Sequence, residues 1–111
     1  MNTNKLDQFL IREEEPVLIS MKKLDANAHK ILFVIDKSEK LIGSLTDGDI
    51  RRWILSGNEL SDKVFNVCNK SPFFVNEDYS LQEVKDLMLT KNIEWIPVLS
   101  NSNKIKDILR S

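Results

Sequence analysis

The chain has 111 residues, a length typical of one domain that buries a core without disulfides or a structural metal. Its 16 Lys and Arg residues balance 17 Asp and Glu residues to a net charge of −1, which argues against nucleic-acid binding through an extended basic surface. A single cysteine, no signal-peptide pattern and no apolar stretch long enough for a bilayer predict a cytoplasmic protein without a membrane segment.

The first half of the chain predicts a helix, two strands joined by a polar turn, and a second helix. Apolar residues three and four positions apart favour the first helix, and Pro16 suits its first position, where no N–H is needed. That apolar face consists of Leu18, Met21, Leu24 and Ala28. Gly57 suits the left-handed residue that ends the second helix. The predicted elements span residues 16–28, 31–36, 40–45 and 48–56.

The second half predicts the same order after an internal boundary near residues 58–66. That segment is not expected to be a flexible linker, because four apolar residues in and beside it have the character of packed side chains: Leu60, Val64, Phe65 and Val67. Ser80-Leu-Gln-Glu83 has the form of a capping box that opens a helix. The predicted elements span residues 73–75, 80–91, 94–99 and 104–109.

The two halves are similar in sequence. LFVIDKSEKLIG (32–43) aligns with IPVLSNSNKIKD (96–107) at an offset of 64, and the preceding helices, whose second apolar face is Leu81, Val84, Leu87 and Met88, align at an offset of 63. Each helix is too short to be stable alone, and each hairpin needs a covered face. Two half-domains that pack together are therefore expected.

The stretch GSLTDGDIRR, residues 43–52, follows a predicted strand and opens a predicted helix. With the repeat, this motif resembles that of a CBS-domain pair, or Bateman module, over nearly the whole chain. It looks closest to pairs attached to sugar-phosphate nucleotidyltransferases, and nearly as close to those of arabinose-phosphate isomerases. The resemblance implies an α+β fold of tandem repeats, each strand-helix-strand-strand-helix, with two small sheets and flanking helices, at residues 1–58 and 59–111.

The resemblance implies a regulatory module that binds a nucleotide, such as AMP, ADP or ATP, in the cleft between the motifs. It assigns Thr46 to the phosphates and Asp49 to the ribose hydroxyls. The chemistry agrees, because the helix start at Thr46 and Asp47 offers unpaired N–H groups to an anion, and an ionised Asp49 accepts two hydroxyl protons. Ser44 and Arg52 complete the predicted nucleotide-binding residues.

Other interpretations of the motif stay open. Thr46-x-x-Asp49 is also an ordinary helix cap that requires no ligand. Asp47 and Asp49 without further spaced ligands do not define a metal site, so no metal is predicted.

The remaining reactive residue types predict structural roles. His29 is expected to be a surface histidine at a helix end, and Cys68 a half-buried structural thiol. Trp53 and Trp95 are expected to pack in the fold or in an interface. Since no catalytic motif is present, we predict no catalytic residue, no enzymatic activity of this chain and no required cofactor.

The second repeat departs from the motif. At the offset of 64, Gly43 matches Asp107, Thr46 matches Arg110, and the match for Asp49 lies beyond Ser111. We therefore expect either a truncated second motif or a module with one usable site.

The expected partners follow from the resemblance. It implies a homodimer, with candidate interface residues Ile54, Leu55 and Leu89, and a covalently attached catalytic domain, a nucleotidyltransferase, in the full-length protein. The alternatives are a dimerisation module without ligand and the regulatory pair of a sugar-phosphate isomerase.

Overall fold

The computed structural model describes residues 6–111, so the first five residues of the predicted first motif lie outside the described part. The first half has an α+β arrangement of three strands and two helices: β1 Leu10–Arg12, α1 Val17–Asn27, β2 Ile31–Ile35, β3 Leu41–Thr46 and α2 Asp47–Leu55. After a short helix, the second half adds another three strands and one long helix: α3 Val64–Val67, β4 Val75–Asn76, α4 Leu81–Lys91, β5 Trp95–Leu99 and β6 Ile105–Arg110.

The strands form two sheets of three with the same topology, β1-β2-β3 and β4-β5-β6. In each sheet the first strand runs parallel to the second, and the third pairs antiparallel with the second. The α+β fold with two small sheets and flanking helices is confirmed.

The repeat has an offset of 64 in every element that both halves contain. The β-bulge between Val34 and Ile35 recurs between Val98 and Leu99. Helices α1 and α4 end at left-handed residues, Ala28 and Asn92, which are also 64 positions apart. The predicted helix offset of 63 is therefore wrong.

The error in that offset has a simple origin in the helix faces. The buried residues of α1 are Val17, Ser20 and Leu24, whereas Leu18 is 42% exposed. The offset of 64 makes Leu81 the counterpart of the fully buried Val17, but Leu81 is itself 69% exposed, so Leu18 and Leu81, which the predicted offset of 63 pairs, both lie outside the buried faces of their helices. Pro16 correspondingly lies at the N-cap, one position before the first helical residue.

The central strand β2 is buried on both faces. Leu32 and Val34 belong to the first core cluster with Val17 and Leu45, while Phe33 and Ile35, which alternate with them along the strand, are also buried. On the second face, Phe33 lines a cleft that Trp95 of the other half also borders.

The two halves meet about a pseudo-two-fold axis at their hairpin turns. Lys40 and Lys104, which are equivalent residues, form an antiparallel bridge with each other. The Leu41 N–H donates to the Asn103 carbonyl at 3.0 Å. This self-pairing of equivalent positions fixes the orientation of the two repeats.

The segment between the repeats packs on the first half. Val64 is fully buried, and Leu60 and Val67 pack against the first core cluster, as predicted, but Phe65 is 43% exposed. The expectation that Phe65 is packed is wrong, since its ring lies on the surface beneath the Lys70 ammonium, 4.5 Å from the ring centroid. Gly57 has φ +90°, which confirms the predicted left-handed residue after α2.

Candidate functional site

A cleft of about 260 Å³ opens between the two halves where β2 and β5 begin. Equivalent loops border it from both sides, residues 29–31 from the first half and residues 92–95 from the second. Phe33 from β2, Ser44 from β3 and Phe73 from the segment before β4 complete its wall. The cleft therefore lies between the repeats, the general location that the sequence predicts for a ligand.

Thr46 and Asp49 form a capping box at the start of α2. The Thr46 hydroxyl accepts from the Asp49 N–H at 3.2 Å, and the Asp49 Oδ2 accepts from the Thr46 N–H at 3.0 Å. This arrangement satisfies one of the free N–H groups of the first turn and places a carboxylate where the helix dipole favours it.

The second oxygen of Asp49 is also occupied. Its Oδ1 accepts from the Arg52 Nη2 at 2.9 Å, one turn further along α2. The Asp49 side chain is 21% exposed and the Arg52 side chain 66%. A ligand hydroxyl that bound Asp49 would therefore exchange with the exposed Arg52 guanidinium rather than with the cap.

The five predicted site residues do not all face one space. Ser44 and Thr46 lie on the same face of β3, because they are two positions apart, and Ser44 lines the cleft. Asp49 and Arg52 border a shallower hollow with Val67. Asp47 lines a third hollow, formed with Met21 and Leu55, so the structure does not bring it to the inter-repeat cleft.

The segment after α3 forms a close backbone contact with β3. Ser44 and Asn69 exchange both backbone hydrogen bonds, at 2.9 and 2.8 Å. A Cβ atom added at Gly43 would lie 2.7 Å from the Asn69 carbonyl oxygen and 2.8 Å from the Cys68 sulfur. Glycine at this position is therefore required by the close approach of the inter-repeat segment to β3.

Cys68 is a buried structural thiol. Burial raises its pKa above the ordinary cysteine value, against a smaller lowering by the charge of Lys70. The neutral, shielded thiol is a poor nucleophile, which agrees with the structural role predicted for it.

His29 follows the end of α1, as predicted, but it is half-buried among aromatic rings rather than free on the surface. Its ring stacks on Phe9 with centroids 4.5 Å apart and lies 4.9 Å from the ring of Trp95. The buried Trp95 indole N–H has no acceptor among residues 6–111. The tryptophans do pack, as predicted, and Trp53 lies against the first core cluster.

Among the cleft residues that the sequence interpretation missed are Ile31, Phe73 and Ile93. Each lies at or near the start of a strand, at a position where an apolar residue is ordinarily expected in the core. The available signal was their correspondence, at the offset of 64, with Trp95, Phe9 and His29.

Within residues 6–111, no group of three His, Cys, Asp or Glu side chains is placed to hold a metal ion. The helices in the same range are all too short or too polar to cross a membrane.

The repeated α/β unit and the inter-repeat cleft define a tandem module of two half-domains. The sequence model of the CBS domain matches the chain twice, at residues 6–56 and 64–111. The two matches account for most of the chain, so this protein belongs to the CBS-domain family and carries a CBS pair.

Two relatives found by sequence comparison support the same assignment. The chain is 35% identical to the uncharacterised protein YlbB of Bacillus subtilis over 83 residues, which are 74% of this chain and 56% of YlbB. It is 25% identical to the arabinose 5-phosphate isomerase GutQ of Salmonella typhi over 89 residues, 80% of this chain and 28% of GutQ. It thus spans between about a quarter and somewhat over half of the curated relatives it matches.

The fold is also that of a solved CBS protein. The CBS domain protein PAE2072 from Pyrobaculum aerophilum, solved in complex with AMP, superposes with a TM-score of 0.77 at 16% identity, over 91% of this chain and 78% of that one. At this identity the likeness establishes the shared fold.

Proposed function

We propose that this CBS pair is a regulatory module that senses an adenosine-type nucleotide in the cleft beside Ser44. The observation that carries the proposal is the open cleft of about 260 Å³ between the repeats, next to the strand that leads into Thr46 and Asp49. The AMP complex of PAE2072, a protein of the same fold, supports an adenosine nucleotide as the first ligand to test.

The proposed binding mode follows from the contacts of Asp49. The base lies in the cleft between Ile31 and Phe73, and the phosphate lies near the start of α2. The ribose hydroxyls replace the Arg52 guanidinium on Asp49 Oδ1, while Oδ2 keeps its bond from the Thr46 N–H. The released Arg52 then turns towards the phosphate, for which its planar guanidinium is well suited.

Calorimetry with AMP, ADP and ATP tests the proposal directly. Ile31→Trp should fill the cleft with an indole and abolish binding, because Ile31 lines it, whereas Leu89→Trp on the exposed surface of α4 should leave binding unchanged. Circular dichroism checks that both variants fold. Equal affinity of both variants and the parent chain would contradict the proposed location.

A second proposal concerns the enzyme that the module regulates. The similarity to GutQ over 89 residues supports a sugar-phosphate isomerase as the attached catalytic domain in the full-length protein. The motif resemblance instead predicts a nucleotidyltransferase. The full-length reading frame distinguishes the two, since an isomerase domain and a nucleotidyltransferase domain differ in sequence throughout.

The competing function is a structural module that takes no ligand. The closed capping box and the Asp49–Arg52 pair favour it, because both carboxylate oxygens are already bonded. A thermal-shift panel of adenosine and cytidine nucleotides separates the two functions. Stabilisation that grows with nucleotide concentration supports sensing, and a flat response supports the structural role.

A further inference from the structure

The pseudo-two-fold relation gives each residue around the open cleft a counterpart 64 positions away. Three such pairs bear on the ligand space: Ile31 with Trp95, Phe73 with Phe9, and Ile93 with His29. The cleft beside Ser44 therefore has a symmetry-related position bounded by Phe9, His29 and Trp95.

At that position the rings contact one another. His29 stacks on Phe9 at 4.5 Å with an interplanar angle of 9°, and Trp95 lies 4.8 Å from Phe9 and 4.9 Å from His29. Phe9 is 7% exposed, whereas its counterpart Phe73 is 46% exposed. Three aromatic side chains thus fill a space that aliphatic residues and a half-exposed phenyl ring leave open on the other side.

The charges at the two positions differ as well. Arg110, the counterpart of Thr46, lies over the Trp95 ring at 5.2 Å and 3.6 Å from the Glu94 carboxylate. The capping hydroxyl of the open side is therefore replaced by a cation that covers the indole. The two positions therefore differ both in their rings and in the residue that ends the third strand of each sheet, Thr46 in β3 and Arg110 in β6.

We infer that Phe9, His29 and Trp95 form a built-in plug of the second cleft, so that the chain takes up one planar ligand, on the Ser44 side. The inference deepens the proposed nucleotide sensing and rests on it for the identity of the ligand. Trp95 and His29 also border the open cleft, so the plug forms a wall of the remaining site.

Proton NMR tests the plug without any ligand. The chain has one histidine, so its two imidazole C–H resonances are identified without ambiguity. Stacking on Phe9 should shift them upfield through the phenyl ring current. Phe9→Leu should move the resonances downfield by the phenyl contribution, with the Trp95 ring still 4.9 Å away, and the matched variant Phe73→Leu, at the counterpart position, should leave them unchanged.

Calorimetry with AMP then tests the number of sites. One AMP per chain, with upfield histidine resonances that persist at saturation, supports the inference. Two AMP per chain, or imidazole resonances at their free-histidine positions in the folded parent chain, would overturn it. Upfield resonances with no AMP binding would uphold the plug and overturn the proposed nucleotide function instead. The parent spectrum decides whether the plug exists even where Phe9→Leu fails to fold.

Discussion

At the scale of single residues, Asp49 combines a cap, an ion pair and the proposed ribose contact. Asp49→Ala should weaken AMP binding about tenfold to a hundredfold, since a hydrogen bond to a charged group contributes roughly 1.5–3 kcal/mol. The loss of its role at the helix start should cost no more than about 1 kcal/mol of folding free energy. Calorimetry measures the first effect and urea unfolding the second.

The chain contains a control for that experiment. Ser80 and Glu83 form the same capping box at the start of α4, with the Ser80 hydroxyl accepting from the Glu83 N–H at 3.0 Å. Glu83→Ala should therefore cost a similar amount of stability and leave AMP affinity unchanged. An Asp49→Ala chain that folds and binds AMP as tightly as the parent would refute the ribose assignment.

Cys68 predicts a dependence of stability on alkaline pH. Its pKa is raised in the folded state by burial, so above the unfolded pKa of about 8.5 the unfolded chain releases the proton while the folded chain retains it. The free energy of unfolding should accordingly fall as the pH rises above that value, towards the folded pKa. Urea unfolding between pH 7 and pH 10 should show a steeper fall for the parent than for Cys68→Ala. Parallel curves would show that the thiol titrates alike in both states.

At the scale of elements, the surroundings of Gly43 and Gly48 predict that a change to alanine has opposite effects on folding stability at the two positions. Gly43→Ala should destabilise the fold by about 1–3 kcal/mol, because the new methyl group meets the Asn69 carbonyl and the Cys68 sulfur below 3.0 Å. Gly48→Ala meets the Arg52 Nη1 at 3.2 Å, the end of an exposed side chain that can move. Alanine in α2 should then stabilise it by up to about 0.5–1 kcal/mol. Thermal unfolding of both variants measures the signs, and a stabilised Gly43→Ala chain would contradict the close contact.

The long elements could be predicted from the sequence, whereas of the short ones only β4 was predicted, at residues 73–75 rather than at Val75–Asn76. Helix α4 and both hairpins have periodic patterns and turn residues, and their observed bounds lie within about two residues of the prediction. The three residues of β1 and the four of α3 are too few to carry a period. Their structure depends on partners distant in sequence, as when the Glu13 N–H donates to the Ile35 carbonyl. Only the family resemblance predicted a strand before α1.

The candidate site was predictable in the same uneven way. The motif identified Thr46 and Asp49 because a cap is local in sequence, and the structure joins them in a capping box. The apolar walls of the cleft come from four separated segments, so no window of sequence reveals that Ile31 and Phe73 face one space. The aromatic contacts of His29 were missed for the same reason, since its neighbours Phe9 and Trp95 are distant along the chain.

At the scale of the whole molecule, the two halves have the same backbone fold about a pseudo-two-fold axis, but they carry different side chains at equivalent surface positions. The turn residues Glu39 and Asn103 have the same left-handed conformation and lie beside the bridge between Lys40 and Lys104. The two halves therefore differ in their side chains at equivalent positions and not in the course of their backbones. An asymmetric module of this kind can present one ligand site and a separate association surface.

The last prediction concerns that association surface, which we propose is the outer face of α2. Leu55 is 78% exposed and Ile54 39%, and with Met21 and Ile50 they line a hollow of about 280 Å³ that Asp47 and Arg51 also border. An exposed apolar side chain next to an apolar hollow suits an isologous contact, in which the Leu55 of each copy enters the hollow of the other. The predicted homodimer would be held by this contact.

Leu55→Asp should weaken self-association at least about tenfold, because two carboxylates would be buried at the symmetric contact. Leu89 is 85% exposed on α4, where Lys85 separates it from the apolar Leu81, so Leu89→Asp serves as the matched control. Sedimentation velocity at high micromolar concentration should detect a dimer for the parent and Leu89→Asp, and a monomer for Leu55→Asp. A dimer lost in Leu89→Asp but kept in Leu55→Asp would assign the interface to α4 instead, and a monomeric parent chain would refute the homodimer.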